Sequence, residues 1–365
     1  MTATRPIHQL VHTLSYGDAI STEVLALQSA IRSLGIESEI YAIHEHNKLL
    51  GRSRPLASIS DCPEADLILH YSIGSPTNDI YRQWRRGHRV LVYHNITPAR
   101  WFSGINSRVA RDIEQGLTDL PALCAVSDRI WADSRFNASE IASLGFSAEV
   151  LDLPIAPERW ERPRHAPTYD LVRSRPGTHI LHVGRLAPNK CVEDVVKSFY
   201  YLKRYIQPAS WLWLVGIDAD TELYSFSLRR LAANLGIEDS VEVMGCLADE
   251  QVRSLYESCS AYLCMSEHEG FCLPLIEAMH FGCPVIAYDA GAVAETIGDG
   301  GIVIREKRHA EVGQLLGMVA NDDAFRGRLV AKGRERVKEF SYQQFTGRLR
   351  ELLTSQGKRR EAQTA

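Results

Sequence analysis

The stretch Tyr262-Leu263-Cys264-Met265-Ser266-Glu267-His268-Glu269-Gly270-Phe271-Cys272-Leu273-Pro274-Leu275-Ile276-Glu277-Ala278-Met279 decides the fold class of this chain. Its first four residues form an apolar run of strand length, and a loop and a helical segment follow. Pro274 stands where a helix start tolerates a missing N–H, and Gly282 marks the helix end. Strand, loop and helix in that order are the repeating unit of a parallel α/β sheet. The backbone amides of Gly270, Phe271, Cys272 and Leu273 are then expected to face out of a helix start, where N–H groups and the helix dipole favour anionic oxygens. Glu269 precedes these amides and Glu277 lies about one turn inside the helix. Two carboxylates beside an anion site make sense if they accept hydrogen bonds from hydroxyls of a sugar and a ribose. Taken singly, they read as a solvated loop charge and a helix-start acid.

The same alternation runs along the whole chain. Strands are expected at Ile7 to Leu14, Glu39 to Ile43, Leu67 to His70, Val90 to Tyr93, Leu123 to Val126 and Glu149 to Leu153. A second series follows at His179 to Gly184, Trp211 to Val215, Val241 to Gly245, Tyr262 to Met265 and Pro284 to Tyr288. Between them Pro154, Pro157, Pro163, Pro167 and Pro176 break the pattern and read as a linker. A last helix is expected from Tyr342 to Thr354, with a polar tail to Ala365. The 365 residues suit two domains, and 45% hydrophobic with 24% charged residues excludes a disordered or fibrous chain. No apolar run reaches membrane-spanning length, the first residues lack a signal-peptide pattern, and the net charge of −4 argues against a dedicated nucleic-acid binder. The eight cysteines include no Cys-x-x-Cys pair and fit reduced core thiols of a cytoplasmic protein.

The Glu269-to-Glu277 segment resembles the Glu-x7-Glu motif of the retaining glycosyltransferases of family 4. Val183-Gly184-Arg185-Leu186-Ala187-Pro188-Asn189-Lys190 is similar to that family's Gly-Arg…Lys diphosphate loop. Gly282-x-Pro284-Val285-Ile286-Ala287 and Phe340-Ser341-Tyr342 also match family segments, so the resemblance covers the C-terminal half almost continuously and the N-terminal half loosely. It implies the GT-B fold, with two Rossmann-like domains facing each other across a cleft. The domains are expected at 1–160 plus 342–365 for the acceptor and 170–341 for the nucleotide sugar, the last helix crossing back to the first.

Arg185 and Lys190 follow a strand end; taken alone they read as ordinary loop charges, and the resemblance implies cations that neutralise a leaving diphosphate. Gly17 lies in the first strand–helix turn, where the family carries a glycine-rich run and this chain has one glycine; it reads as a donor contact or as simple turn chemistry. His94 ends the strand Val90 to Tyr93 and resembles the family's histidine near the transferred sugar. His70 is a weaker candidate, His268 reads as a loop-orienting residue, and His44-Glu45-His46 lacks metal-ligand spacing. Asp218-Ala219-Asp220 has the form of a metal–diphosphate motif but reads better as a helix start capped by Asp220. Tyr81 to Arg89 and Arg100-Trp101-Phe102 combine basic and aromatic residues, which fits peripheral contact with anionic membrane or a solvated surface over core aromatics.

The catalytic set implied is therefore Glu269, His94, Arg185 and Lys190. The donor set is Gly17, Arg185, Lys190, Gly270, Phe271, Cys272, Leu273 and Glu277. No metal and no cofactor are expected. The expected partners are a nucleotide sugar and a glycan or lipid-linked acceptor. The transferred hexose is first mannose from GDP-mannose and next a UDP-hexose. A glycoside phosphorylase, a sugar-nucleotide epimerase and a non-catalytic sugar-nucleotide-binding subunit are the alternatives on the same fold.

Overall fold

The computed structural model describes residues 5–62 and 64–363. Its contacts divide the chain into two compact units. The first runs to Pro98, resumes over Arg111–Ala156 and returns from Phe340; the second comprises Ala99–Ala110 and Pro157–Glu339.

In the first unit the strands are β1 (Ile7–Leu14), β2 (Ile40–Glu45), β3 (Arg54–Pro55), β4 (Asp66–Tyr71), β5 (Arg89–Tyr93), β6 (Arg129–Ala132) and β7 (Glu149–Val150). Among the described residues they form one parallel sheet in the order β3-β2-β1-β4-β5-β6-β7. In the second unit the strands are β8 (Thr178–Val183), β9 (Ser210–Val215), β10 (Val241–Gly245), β11 (Ala261–Cys264), β12 (Val285–Tyr288) and β13 (Ile302–Ile304). They form a parallel sheet in the order β10-β9-β8-β11-β12-β13. Both orders reverse direction once, between β1 and β4 and between β8 and β11. Ligands of open α/β sheets bind at the carboxyl ends of strands at such a reversal.

Helix spacing explains each core. In the helix Val192–Tyr205, the residues Val192, Val195, Val196, Phe199 and Leu202 form one stripe, all fully buried against the second sheet. The helix Ala19–Ser33 buries Leu27, Ala30 and Ile31 against the first sheet, and Asp18 caps it by accepting from the Ser21 amide at 3.0 Å. Phe345, Leu349 and Leu352 of the final helix join that same core. Burying side chains of this size contributes about 1.5–3 kcal/mol each.

Some expectations fail here. Leu123 to Val126 is not a strand but the end of the helix Ser107–Val126, with Pro121 inside it. Leu120, Leu123 and Cys124 are all buried, and so short an apolar run fits the buried stripe of a helix as well as a strand. The strand that pairs there is β6. The proline-rich span is not a plain linker, because it contains the helices Pro157–Trp160 and Ala166–Ser174. The final helix does not stop at Thr354 but continues to Gln363; the rest of the expected tail lies outside the described residues. The aromatic residues Tyr81, Trp84 and Phe102 are buried, so these rings belong to the cores. Among the described residues, no helix is long and apolar enough to cross a membrane.

Candidate active site

The reversal point of the second sheet brings two loops together, one after β8 and one after β11. The first is held by close backbone packing. A side chain at Gly216 would place its Cβ 1.7 Å from the Gly184 carbonyl oxygen, so the end of β9 must be glycine for the Gly184–Arg185 turn to lie where it does. The Leu186 amide donates to the Ile217 carbonyl at 2.9 Å, and Thr221 Oγ1 donates to the Leu186 carbonyl at 2.7 Å. Buried Leu186 and Ala187 anchor the loop, and a short 3-10 turn over Pro188–Lys190 leads into the helix Val192–Tyr205.

The second loop is docked onto the first. The Glu267 amide donates to the Asn189 carbonyl at 2.9 Å, and the Ala292 amide donates to the Glu269 carbonyl at the same distance. Gly291, at φ 58°, is in the left-handed region, and a Cβ there would stand 2.2 Å from the Glu269 carbonyl oxygen. Thr296 Oγ1 donates to the Phe271 carbonyl at 2.6 Å. The loop therefore enters the helix Leu273–His280 along a fixed path, with Cys272 at φ 71° and no side-chain cap on the helix start.

This docking places Lys190 on Glu269. The Lys190 Nζ donates to both carboxylate oxygens, at 2.8 Å each, and Glu269 is only 5% exposed. Burial by itself would push Glu269 up, but the ammonium beside it holds the carboxyl below its usual range. Burial alone would likewise lower Lys190, and the carboxylate more than reverses that, so the amine stays charged above its ordinary value. The pair is thus a fixed cation and a fixed acceptor at the reversal point. Arg185 is exposed, with Nη2 donating to the Ala219 carbonyl at 2.8 Å.

Glu277 is buried one turn into the helix, and both of its oxygens are engaged. Oε1 accepts from Arg159 Nη1, and Oε2 accepts from the Tyr256 hydroxyl at 3.1 Å. Arg159 Nε donates in turn to Asp249 Oδ1 at 2.6 Å. Burial raises the Glu277 pKa, with Arg159 and Tyr256 opposing. Arg159, Tyr256 and Asp249 escaped the sequence reading. The available signal was an arginine in Pro157-Glu158-Arg159-Trp160, inside the span read as linker. Asp220 is corrected here: it does not cap the following helix, whose N-cap position is Thr221. Its own backbone is left-handed at φ 68°, and its Oδ1 accepts from Arg108 Nη2 at 2.8 Å.

His94 and Gly17 lie in the first unit. Gly17 turns the chain after β1 at φ 79°. His94 is buried with both ring nitrogens engaged: Nδ1 stands 3.0 Å from Asp133 Oδ2 and 3.2 Å from Glu23 Oε2, and Nε2 stands 2.8 Å from His70 Nδ1. His70 Nε2 is 2.8 Å from Gln9 Oε1. His94 Nδ1 thus faces two carboxyl groups while Nε2 faces His70, a setting in which the acids favour the protonated ring. Burial opposes that charge, but Asp133 and Glu23 outweigh it and raise the His94 pKa to about 9. Burial, then Asp133, pushes Glu23 well above the usual carboxylate range. Glu23 shares a helical stripe with Leu27 and Ala30, and a carboxylate on that stripe was the legible sign of the network.

Residues 174–336 match the family model described as glycosyl transferases group 1. The chain is 38% identical over 119 residues to MMP alpha-(1->4)-mannosyltransferase of Mycolicibacterium hassiacum, covering 32% of this chain and 29% of that protein. It is 32% identical over 152 residues to the GDP-mannose:cellobiosyl-diphosphopolyprenol alpha-mannosyltransferase of Xanthomonas oryzae, covering 40% of this chain and 39% of the relative. The chain thus spans less than half the length of these curated relatives. The Anabaena protein HepE, solved in complex with UDP and glucose, superposes with a TM-score of 0.77 at 17% identity, over 96% of this chain and all of that one. Sucrose-phosphate synthase from Thermosynechococcus elongatus gives a TM-score of 0.75 at 16% identity, covering 96% of this chain and 99% of that chain. The fold is GT-B.

Proposed function

We propose that this chain is a retaining glycosyltransferase that moves a hexose from a nucleotide diphosphate sugar to a hydroxyl acceptor in glycan or glycolipid biosynthesis. The observation that carries this reading is the Lys190–Glu269 pair, fixed at the reversal point of the second sheet beside an uncapped helix start. The second unit takes the donor. Lys190, Arg185 and the amides of Gly270, Phe271, Cys272 and Leu273 receive the diphosphate and stabilise the charge that grows on the leaving oxygen. Glu269 accepts from hydroxyls of the transferred sugar, and Glu277 from the ribose.

The bond between the anomeric carbon and the phosphate oxygen breaks, and the acceptor oxygen bonds to the same face of the sugar. The acceptor proton passes to the leaving phosphate oxygen, so no side chain need act as nucleophile. His94, as an imidazolium, has no free lone pair with which to take that proton; its part is to present fixed positive charge in the acceptor-binding unit, where Gly17 allows close backbone approach. No divalent cation is required, because fixed cations and a helix start face the diphosphate.

Mannose from GDP-mannose is the first donor, supported by relatives named as mannosyltransferases; a UDP-hexose is second. Screening nucleotide sugars for thermal stabilisation tests the donor, since a ligand at 100 times its Kd adds about 2.7 kcal/mol. Nucleoside diphosphate released only when an acceptor is added separates transfer from epimerisation; release without acceptor dependence would contradict the reading.

A further inference from the structure

We propose that Cys264, Cys272 and Glu269 form a binding site for a thiophilic divalent cation of the zinc and cadmium type, whose occupation shuts off the Lys190–Glu269 pair. The inhibitory consequence rests on the proposed role of Glu269; the binding itself does not. Cys264 ends β11 and Cys272 precedes the helix Leu273–His280, so the two thiols flank the loop that carries Glu269. Their sulfurs are 4.0 Å apart, both residues are buried, and Cys264 Sγ lies 3.2 Å from Ser266 Oγ. The two sulfurs and a Glu269 oxygen all lie within 4.8 Å of one another.

The sulfur separation decides between two chemistries. A disulfide needs about 2.05 Å, half the observed distance. Two sulfurs bound tetrahedrally at about 2.3 Å to one zinc ion stand about 3.8 Å apart, close to what the fold provides. The donor set of two thiolates and one carboxylate selects zinc or cadmium over magnesium or manganese, which prefer all-oxygen sites.

Charge is conserved within the site. Without metal it holds one carboxylate and one ammonium. With metal, both thiols give their protons to solvent, two metal–sulfur bonds and one metal–oxygen bond form, and nothing is oxidised or reduced. Two thiolates, one carboxylate, one divalent cation and Lys190 again sum to zero, so no net charge is buried. The Lys190 ammonium, on a side chain that is 23% exposed, gives up its bonds to the coordinated carboxylate and stays beside the anionic site as its counter-charge. Glu269 is then held by the metal.

The experiment is a cadmium titration of the metal-free full chain, followed by the ultraviolet thiolate-to-cadmium charge-transfer band. The expected result is a band saturating at about one equivalent with release of about two protons per cadmium. The band should be lost in Cys264→Ser and kept in Cys246→Ser, which removes the exposed thiol. In parallel, zinc should suppress acceptor-dependent nucleoside diphosphate release by the wild type and not by Cys264→Ser, whose basal rate is expected to stay near wild type. Absence of the band, its survival in Cys264→Ser, or its loss in Cys246→Ser overturns the site. A normal band with unaffected release overturns the inhibition. If the protein transfers no sugar at all, the band still decides the site, and only the catalytic reading falls. Should Cys264→Ser fail to fold, Cys272→Gly removes the other thiol at a φ of 71° that glycine adopts without strain.

Discussion

Replacing Lys190 by Met tests whether the pair with Glu269 is an interior ion pair or an incidental surface contact. The substitution keeps much of the side-chain volume and removes the charge, leaving a carboxylate that is 5% exposed without its cation. Breaking one partner of a buried pair costs about 3–5 kcal/mol; because Lys190 is 23% exposed and partly hydrated, the lower end, about 3 kcal/mol, applies. The pH dependence follows from the direction of each shift. In the wild type the Glu269 carboxyl is held below its ordinary value, so its contribution is present above the unfolded carboxylate pKa and lost as pH falls through the folded one. In Lys190→Met burial is opposed only by the hydrogen bonds from Ser266 and Cys272, so the carboxyl moves up from its wild-type value and protonation relieves the mutant as pH falls. Urea denaturation of both proteins at neutral pH and near pH 4.5 should therefore show a defect that is large at pH 7 and shrinks in acid. Adding Glu269→Gln to Lys190→Met should recover much of the loss at pH 7. A Lys190→Met protein as stable as the wild type, or a defect that does not change with pH, would refute the reasoning.

Other expected outcomes concern the reaction and the first unit. Glu269→Gln should lower kcat strongly and leave donor affinity nearly unchanged, as measured by steady-state kinetics beside calorimetric binding; comparable activity would remove Glu269 from the reaction. Arg185→Ala and Lys190→Ala should each lower kcat/KM by about 10²–10³, or about 2.7–4 kcal/mol, with a non-additive double variant, since both cations are proposed to serve one diphosphate. Excess chelator should leave transfer undiminished, whereas loss restored by manganese would revive Asp218 and Asp220 as metal ligands. His94, with its folded pKa raised to about 9, stabilises the fold fully below about pH 6.5. That contribution is lost as pH rises toward 9, so His94→Gln should destabilise more at pH 6 than at pH 9.5 in parallel thermal melts.

The residues that announced the second sheet did so because each βα unit carries its own punctuation. The strand ending at Cys264, the helix start at Leu273 and the stop at Gly282 are all set by neighbours in sequence. Lys190 and Glu269, each following a strand end, could be named from the family resemblance. Their mutual contact could not, because it depends on β8 lying beside β11. The misread Leu123 to Val126 is a local ambiguity: a short apolar run fits a strand and the buried stripe of a helix equally well. Arg159 was hidden by its five neighbouring prolines, which mark a break in periodicity but not the single helical turn that aims a guanidinium at Glu277. Asp220 looked like a cap because acids favour that position, yet its left-handed backbone and its pairing with Arg108 decide otherwise. The Glu23–His94–Asp133 network joins three elements distant in sequence, and only the odd carboxylate on an apolar stripe betrayed it.

The central claim is that the second unit binds a nucleotide diphosphate sugar through Glu277 and the loops around Lys190 and Glu269. Calorimetric titration of GDP-mannose, UDP-hexoses and the free diphosphates into the wild type and Glu277→Ala tests it most directly. The account predicts saturable binding of at least one nucleotide sugar and its free diphosphate by the wild type, with both weakened in Glu277→Ala. Binding of none of them, or equal binding by the folded variant, would contradict it.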